Sequence, residues 1–234
     1  MKRRRLGQHY LVSRDAVKQI LYTASIQNDE RVLEIGTGEG VLTVELAKIA
    51  DEFEAFEIDR ENYEITKNLV GPKVELRLGD AFRANPKFDV LVSSLPYSES
   101  SAFVEWLSMS KYDRAIVVLQ EDFAKKITAE PGTQRYRAVS VLAQLSSKIS
   151  LRDRLNREAF NPPPMVASRI AVFEYERSLT IDEVTLVKKL FGLRRRELGG
   201  VLQTLGLPAS EEYDPSRRVV SLRPEEVYRI IRPK

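Results

Sequence analysis

Residues 33–43 read LEIGTGEGVLT and place three glycines, Gly36, Gly38 and Gly40, between an apolar run and a helix-like pattern. The apolar run is typical of a short buried strand. Glycines after a strand let the backbone turn tightly and approach a ligand without side-chain obstruction. A dinucleotide fingerprint would need its third glycine at position 41, where this chain has valine. The stretch therefore predicts a cofactor loop of another kind, with a purely structural turn as the alternative.

The pattern around this loop predicts a doubly wound α/β fold, in which strands alternate with helices. Ser13 is a candidate N-cap for a helix that precedes the first strand, RVLEI. Four more strands are predicted over 53–58, 74–78, 88–92 and 114–120. ISLRDRL and SRIAVFEYE predict two further antiparallel strands around a proline-rich loop. After Arg177 the pattern becomes helical and opens with a capping box, Thr180 and Glu183. We therefore expect a large α/β domain over 1–177 and a small helical domain over 178–234.

Composition excludes several classes of protein. The chain has 234 residues, 43% of them hydrophobic, which is enough for a substantial core. It has no cysteine and one histidine, His9, so disulfides, thiolate chemistry and a multi-histidine metal site are excluded. No apolar stretch approaches membrane-spanning length, and the basic N-terminus lacks the apolar run of a signal peptide. We expect a cytoplasmic protein without metal or membrane partner.

Two acidic residues follow the next two predicted strands. Glu57, in FEID, lies about twenty residues after the glycines, where a carboxylate can accept hydrogen bonds from both hydroxyls of a ribose. Asp80, in GDAF, can accept a hydrogen bond from an adenine amine. Either acid alone could be a surface residue or a helix cap. Together with the glycine loop, they predict a nucleoside-containing ligand.

Basic residues are concentrated in clusters, including Lys2–Arg5, Arg152/Arg154/Arg157, Arg194–Arg196 and Arg217/Arg218. Together they could neutralise a phosphate backbone, whereas any one of them could be a solvated face.

The order of motifs resembles a known family. GQHYL, LEIGTGEG, FEID, GDAF, SLPY, LQEDFA and FNPPPMVAS appear in the order found in the KsgA and Erm superfamily of S-adenosylmethionine-dependent rRNA adenine-N6 dimethyltransferases. The resemblance spans roughly residues 6–175, with a weaker similarity in FGLRRRELGGVL. The C-terminal helices and the segment from Lys111 to Tyr136 look closer to KsgA, the small-subunit enzyme, than to Erm. The fold it implies is a Rossmann-like class I methyltransferase sheet.

The resemblance also implies roles for individual residues. The candidate cofactor-binding residues are Gln8, Tyr10, Glu34, Gly36, Gly38, Glu57, Ile58, Asp80, Ala81 and Ser94. The candidate catalytic residues, which would form the target-base pocket, are Ser94, Leu95, Pro96, Tyr97 and Phe160. Phe160 would stack on the base opposite Tyr97, although either aromatic alone could be core packing. Arg194, Arg195 and Arg196 are the candidate RNA-binding residues.

Ser94 departs from the family pattern, which normally has asparagine there. Methyl transfer to adenine needs the amine lone pair, which is delocalised into the ring, and two acceptors for the amine hydrogens would localise it. The Leu95 carbonyl is one candidate and the Ser94 hydroxyl the other. Three outcomes stay open: full dimethylation with adjusted geometry, slower or single methylation, or RNA binding with little catalysis.

The sequence therefore predicts an rRNA adenine-N6 methyltransferase that uses S-adenosylmethionine and acts, as a monomer, on small-subunit rRNA or the pre-ribosomal small subunit. The first alternative is a ribosome-assembly RNA-binding protein with weak or lost catalysis. The second is a methyltransferase for DNA or another RNA. The glycine spacing disfavours a nicotinamide oxidoreductase.

Overall fold

The computed structural model describes residues 9–208 and 213–232. Gln8 and the Lys2–Arg5 cluster lie outside the described residues. The strands are β1 Tyr10–Leu11, β2 Arg31–Ile35, β3 Glu52–Glu57, β4 Val74–Leu78, β5 Val90–Ser93, β6 Arg114–Gln120, β7 Ser147–Leu155, β8 Phe160–Asn161 and β9 Ser168–Tyr175. The helices are α1 Arg14–Ala24, α2 Val41–Ile49, α3 Arg60–Leu69, α4 Ala81–Ala84, α5 Ser100–Met109, α6 Glu121–Ile127, α7 Ala138–Ser146, α8 Ile181–Gly192, α9 Leu198–Leu205 and α10 Pro224–Ile231.

Seven of the strands form one sheet in the order β4-β3-β2-β5-β6-β9-β7. The first five run parallel, and β9 pairs antiparallel with β6. The order reverses between β2 and β5, the point at which doubly wound sheets bind ligands. The predicted Rossmann-like fold, with helices in the C-terminal region, is confirmed.

The central strands form because they are apolar along their length. Four of the five residues of β2 are buried, and Val90, Leu91 and Val92 of β5 are fully enclosed. Parallel strands covered on both faces read as continuous apolar runs rather than as an alternation. Ile116 of β6 and Leu46 of α2 belong to the same core cluster.

Local capping explains where several helices begin. The Ser13 hydroxyl accepts from the Ala16 amide at the start of α1, as predicted. Asp59 caps α3 in the same way. Thr180 and Glu183 form the predicted capping box of α8, with the Thr180 amide donating to Glu183 Oε2 at 2.7 Å. Each such cap stabilises a helix by about 1 kcal/mol.

The chain divides into two compact units. One comprises residues 1–103, 111–121 and 150–175, and the other comprises 104–110, 122–149 and 176–234. The second unit thus contains the predicted C-terminal domain, 178–234, together with α6 residues and α7, which the sequence pattern did not predict. The boundary at 177/178 stays a prediction.

No helix in the described part of the chain is long and apolar enough to cross a bilayer. Within 9–208 and 213–232, no group of three or more His, Cys, Asp and Glu side chains could hold a metal ion.

Candidate active site

A pocket of about 390 Å³ opens where β2, β3, β4 and β5 end. The carboxyl ends of parallel strands meet at one edge of a sheet, so residues distant in sequence converge there. Every predicted cofactor-binding residue that the structure describes lines this pocket: Tyr10, Glu34, Gly36, Gly38, Glu57, Ile58, Asp80, Ala81 and Ser94. Gln8 lies outside the described residues.

The glycine loop needs its glycines for conformation and for space. Gly36, Gly38 and Gly40 all have positive φ, between 55° and 81°, which other residues rarely adopt. A β-carbon on Gly38 would also lie 3.1 Å from the Tyr10 ring. The loop therefore brings bare backbone to the pocket, and side chains at these positions would strain it.

Glu57 is fixed by the loop that it faces. Its Oε2 accepts a hydrogen bond from the Gly38 amide at 2.9 Å, and its Oε1 accepts one from the Asp59 amide at 2.8 Å. The side chain is 4% exposed, and burial raises the pKa of the carboxyl. The Thr37 hydroxyl also donates to Oε2, over a longer distance of 3.4 Å. Oε1 keeps a lone pair, and the Thr37 hydroxyl can donate instead to Thr66 Oγ1, 3.1 Å away, so the carboxylate can still accept hydroxyl hydrogens from a ligand.

Asp80 follows β4 and caps the short helix α4. Its Oδ1 accepts from the Phe82 amide at 3.0 Å, and its Oδ2 lies 3.4 Å from Arg83 Nε. The side chain is one-third exposed at the pocket. Asp80 is thus a helix cap that retains acceptor capacity toward a ligand, so the two interpretations of this residue are compatible.

Glu34 is the most deeply buried acid of the pocket, with 1% of its surface exposed. Burial raises its pKa to about 8. Its Oε2 has no hydrogen-bond partner among the residues that the structure describes. A carboxyl in such surroundings favours its protonated form unless a positive group arrives.

The SLP turn after β5 faces the pocket. The Ser93 hydroxyl donates to the Ile35 carbonyl at 2.5 Å and is fully buried, which ties the end of β5 to β2. Ser94, Leu95 and Pro96 follow and line the pocket. The Ser94 hydroxyl is half-buried and makes no hydrogen bond within the described part of the chain.

The two aromatic candidates lie away from the pocket lining. Tyr97 is half-buried, and its hydroxyl lies 2.6 Å from the hydroxyl of Ser168. Phe160 is 3% exposed, belongs to the core cluster and lies opposite Leu11 in the β1–β8 pair. The structure brings Ser94, Leu95 and Pro96 together with the cofactor candidates, and it places Phe160 in the core.

A family model described as "Ribosomal RNA adenine dimethylase" matches residues 1–232. The chain belongs to the ribosomal RNA adenine dimethylase family. Relatives support this assignment. A probable ribosomal RNA small subunit methyltransferase A of Thermococcus sibiricus is 39% identical over 82% of this chain and 71% of its own length. The protein of the same name from Pyrococcus abyssi is 33% identical over 97% of this chain and 89% of its own.

Two solved structures of at least 25% identity share the fold. A dimethyladenosine transferase from Plasmodium falciparum superposes with a TM-score of 0.80 and 25% identity, covering 95% of this chain and 96% of that one. The 23S rRNA methyltransferase ErmE superposes with a TM-score of 0.63 and 25% identity, covering 95% of this chain and 98% of that one. The predicted resemblance to the KsgA and Erm superfamily is confirmed.

Membership in the adenine dimethylase family makes the protein an S-adenosylmethionine-dependent methyltransferase, so the predicted enzyme class and cofactor are confirmed. The geometry of the pocket also fits this cofactor, independently of the comparisons. Glu57 and Asp80 retain hydrogen-bond acceptors for a ribose and an adenine amine.

Sequence patterns missed several residues of the dimethylase pocket, among them His9, Thr37, Asn62, Phe82 and Glu99. His9 is the single histidine of the sequence, and on that basis it indicates only that a multi-histidine metal site is excluded. Its position directly before Tyr10, inside the GQHYL motif, is nevertheless a usable signal. The others lie beside predicted residues but carry no distinctive chemistry in the sequence.

The dimethylase's Arg194–Arg196 cluster follows α8 in the second unit. Arg194 is partly buried, whereas Arg195 and Arg196 are exposed. None of the three guanidinium groups has a carboxylate partner among the described residues. By contrast, Arg217 is bound to Glu226 at 2.8 Å and supports the fold.

Proposed function

We propose that this protein methylates adenine N6 of small-subunit ribosomal RNA, within the pre-ribosomal small subunit. The observation that carries the proposal is the convergence of Glu57, Asp80 and the Ser94–Pro96 turn on one pocket at the ends of neighbouring strands. The names of the relatives from Thermococcus and Pyrococcus support the small subunit as the target.

For the cofactor, we propose that Glu57 accepts the ribose hydroxyls and Asp80, with the Ala81 backbone, holds the adenine. The Ile58 side chain, 66% exposed at the pocket, offers apolar surface to the adenine ring. Gly36 and Gly38 pass beneath the ligand, with Glu34 behind them. Gln8 and Tyr10 cover its methionine end. When bound, the sulfonium supplies an activated methyl group.

For the target base, we propose that the Ser94 hydroxyl and the Leu95 carbonyl accept the two hydrogens of the adenine amine. These bonds draw the nitrogen toward tetrahedral geometry and make its lone pair available for attack. Pro96 restricts the backbone of the turn. The unpaired Ser94 hydroxyl supports this role, because no bond within the described residues competes for it.

We propose that Tyr97 stacks on the flipped base, since it directly follows the SLP turn. Stacking by Phe160 on the other face also stays a proposal. It requires Phe160 to leave the core, where it is 3% exposed.

We propose that the C-terminal segment, 178–234, binds RNA through Arg194, Arg195 and Arg196. Guanidinium groups without carboxylate partners are available to phosphates. A monomer working in the cytoplasm, where ribosomal subunits are assembled, completes the proposal.

One experiment tests the function. The protein is incubated with S-[methyl-³H]adenosylmethionine and unmethylated small subunits, and the labelled nucleotides are mapped. We expect label on adenine N6, and we expect Glu57→Gln to lose most of it by weakening cofactor binding. Glu64→Gln, on the exposed side of α3, is the matched control.

The same experiment tests the competing assembly-factor function. Binding of the wild-type protein to the subunits without any transfer of label would replace catalysis with that function. Label on large-subunit RNA alone would contradict the small-subunit target.

A further inference from the structure

His9 connects three parts of the molecule that differ in sequence position. Its ring lines the cofactor pocket, its Nδ1 lies 2.7 Å from the Pro162 carbonyl oxygen, and its centroid lies 5.5 Å from that of Tyr97. Pro162 belongs to the proline-rich loop, and Tyr97 follows the SLP turn. One side chain therefore contacts both the aromatic residue that is proposed to stack on the target base and the proline-rich loop.

The contact with Pro162 continues a two-stranded ladder. β1 pairs antiparallel with β8, with Tyr10 opposite Asn161 and Leu11 opposite Phe160. The Val12 amide also donates to the Ala159 carbonyl at 2.8 Å. In this register His9 lies opposite Pro162, which has no amide hydrogen to donate. The imidazole thus supplies a hydrogen bond where the ladder would otherwise end.

The direction of this hydrogen bond follows from its acceptor. A carbonyl oxygen only accepts, so His9 Nδ1 carries the hydrogen. An asparagine at this position can place an amide NH₂ close to where Nδ1 lies, because both groups are attached to Cγ. It would keep the donor and lose the ring.

Tyr97 is held from two directions. The His9 ring packs against its ring at an interplanar angle of 38°. Its hydroxyl lies 2.6 Å from that of Ser168, which is fully buried at the start of β9. Burial raises the pKa of the Tyr97 hydroxyl, so this group stays protonated and can donate. Two anchors leave little freedom for the rotamer of Tyr97.

We propose that His9 is a positioning residue for methyl transfer, which fixes Tyr97 and the proline-rich loop in one geometry beside the cofactor pocket. The proposal rests on the proposed function, in which Tyr97 stacks on the target adenine. A displacement of about 1 Å in a reacting geometry can cost up to a hundredfold in rate. A side chain that holds the stacking ring without touching the reacting atoms thus affects the rate.

Three variants separate the two contacts of His9. His9→Asn keeps the donor to Pro162 and removes the ring, His9→Phe keeps the ring and removes the donor, and His9→Ala removes both. In steady-state assays on unmethylated subunits, we expect His9→Ala to lower kcat by between about ten- and a hundredfold. The KM for subunits should change less than kcat, and His9→Asn and His9→Phe should lie between His9→Ala and wild type. Unchanged kcat in His9→Ala, or a loss that saturating cofactor restores, would overturn the proposal.

A second measurement does not depend on activity. Amide hydrogen exchange should quicken several-fold in His9→Ala at the β1–β8 pair, which the His9–Pro162 contact extends, and at Glu99, whose amide donates to the Pro96 carbonyl. The amides of β2 and β6 should keep wild-type protection. His9→Asn should restore protection at the β1–β8 pair but not at Glu99. Wild-type exchange at both segments in His9→Ala would refute the proposal. If His9→Ala exchanges faster but the wild-type protein transfers no methyl group, the result refutes the proposed function and leaves the contacts of His9 confirmed.

Discussion

Ser93 and Ser94 are adjacent in sequence but have different surroundings. The Ser93 hydroxyl donates to the Ile35 carbonyl and holds two strands together, whereas the Ser94 hydroxyl lies at the pocket without a partner within the described residues. Ser94 occupies the position at which the adenine dimethylase family normally has asparagine. An asparagine carbonyl reaches further than a serine hydroxyl, so the distance from Ser94 to a target amine decides how well this site can activate the amine.

If Ser94 accepts from the target amine, Ser94→Ala should slow methyl transfer while cofactor affinity stays near wild type. Loss of one such hydrogen bond, at about 1–3 kcal/mol, corresponds to roughly ten- to a hundredfold in rate. Ser94→Asn should preserve or raise the rate. Single-turnover assays that count methyl groups per adenine measure both effects, with exposed Ser101→Ala on α5 as the control. A wild-type rate in Ser94→Ala would place the second acceptor elsewhere.

Glu34 gives the cofactor-free protein a stability that depends on pH. Its folded-state pKa, about 8, lies above the ordinary glutamate value of 4.5. Between these values the folded state holds a proton that the unfolded state has lost, so stability falls as pH rises and levels off above about pH 8. The largest possible slope is about 1.4 kcal/mol per pH unit.

Glu34→Gln removes this titration and keeps the shape of the side chain. We expect the variant and the wild type to have similar unfolding free energies near pH 4.5, and the variant to become progressively more stable than the wild type toward pH 8. Urea titrations of the cofactor-free proteins at several pH values measure the difference, with Glu64→Gln as the matched control. A difference that stays constant with pH would show that Glu34 is ionised in the folded protein.

At the scale of elements, the sequence predicted the features that depend on neighbouring residues. β4 and β6 have the predicted bounds, and α1 and α8 begin at their predicted caps. Apolar periodicity and capping chemistry are local signals, because they depend only on residues that are close together in the sequence. The cofactor candidates could be predicted for a related reason, because the ends of parallel strands converge in any doubly wound sheet.

Elements that depend on distant partners were not predicted. β1 has two residues, and it forms by pairing with β8, about 150 positions away. This pairing places His9 beside Pro162, and no periodicity in either segment indicates it. The same pairing encloses Phe160, so its burial could not be read from the FNPPP motif. Helix α7 was missed because its residues are buried nearly all round, which removes the amphipathic pattern.

At the scale of the whole molecule, exposed basic residues differ in whether they already have a carboxylate partner. Lys18, Lys48 and Lys73 are exposed, and each lies within 3.9 Å of a carboxylate oxygen. Arg194, Arg195 and Arg196 have no such partner among the described residues. Burial, and then the charges of Arg194 and Arg195, lower the pKa of the Arg137 guanidinium. Like charges thus accumulate in the second unit, and an anion would relieve their repulsion.

This contrast supplies a matched test of RNA binding. Charge reversal of Arg194, Arg195 and Arg196 to glutamate should weaken binding to small-subunit RNA and reduce the salt slope by roughly one for each phosphate that the protein no longer neutralises. Reversal of Lys18, Lys48 and Lys73 changes the net charge equally and should alter the slope less. Cofactor affinity, measured by calorimetry, should stay at the wild-type value in both triple variants, because none of the six residues lines the pocket. Equal salt slopes for the two variants would mean that the RNA responds only to net charge, and the arginine cluster would then be an ordinary solvated surface.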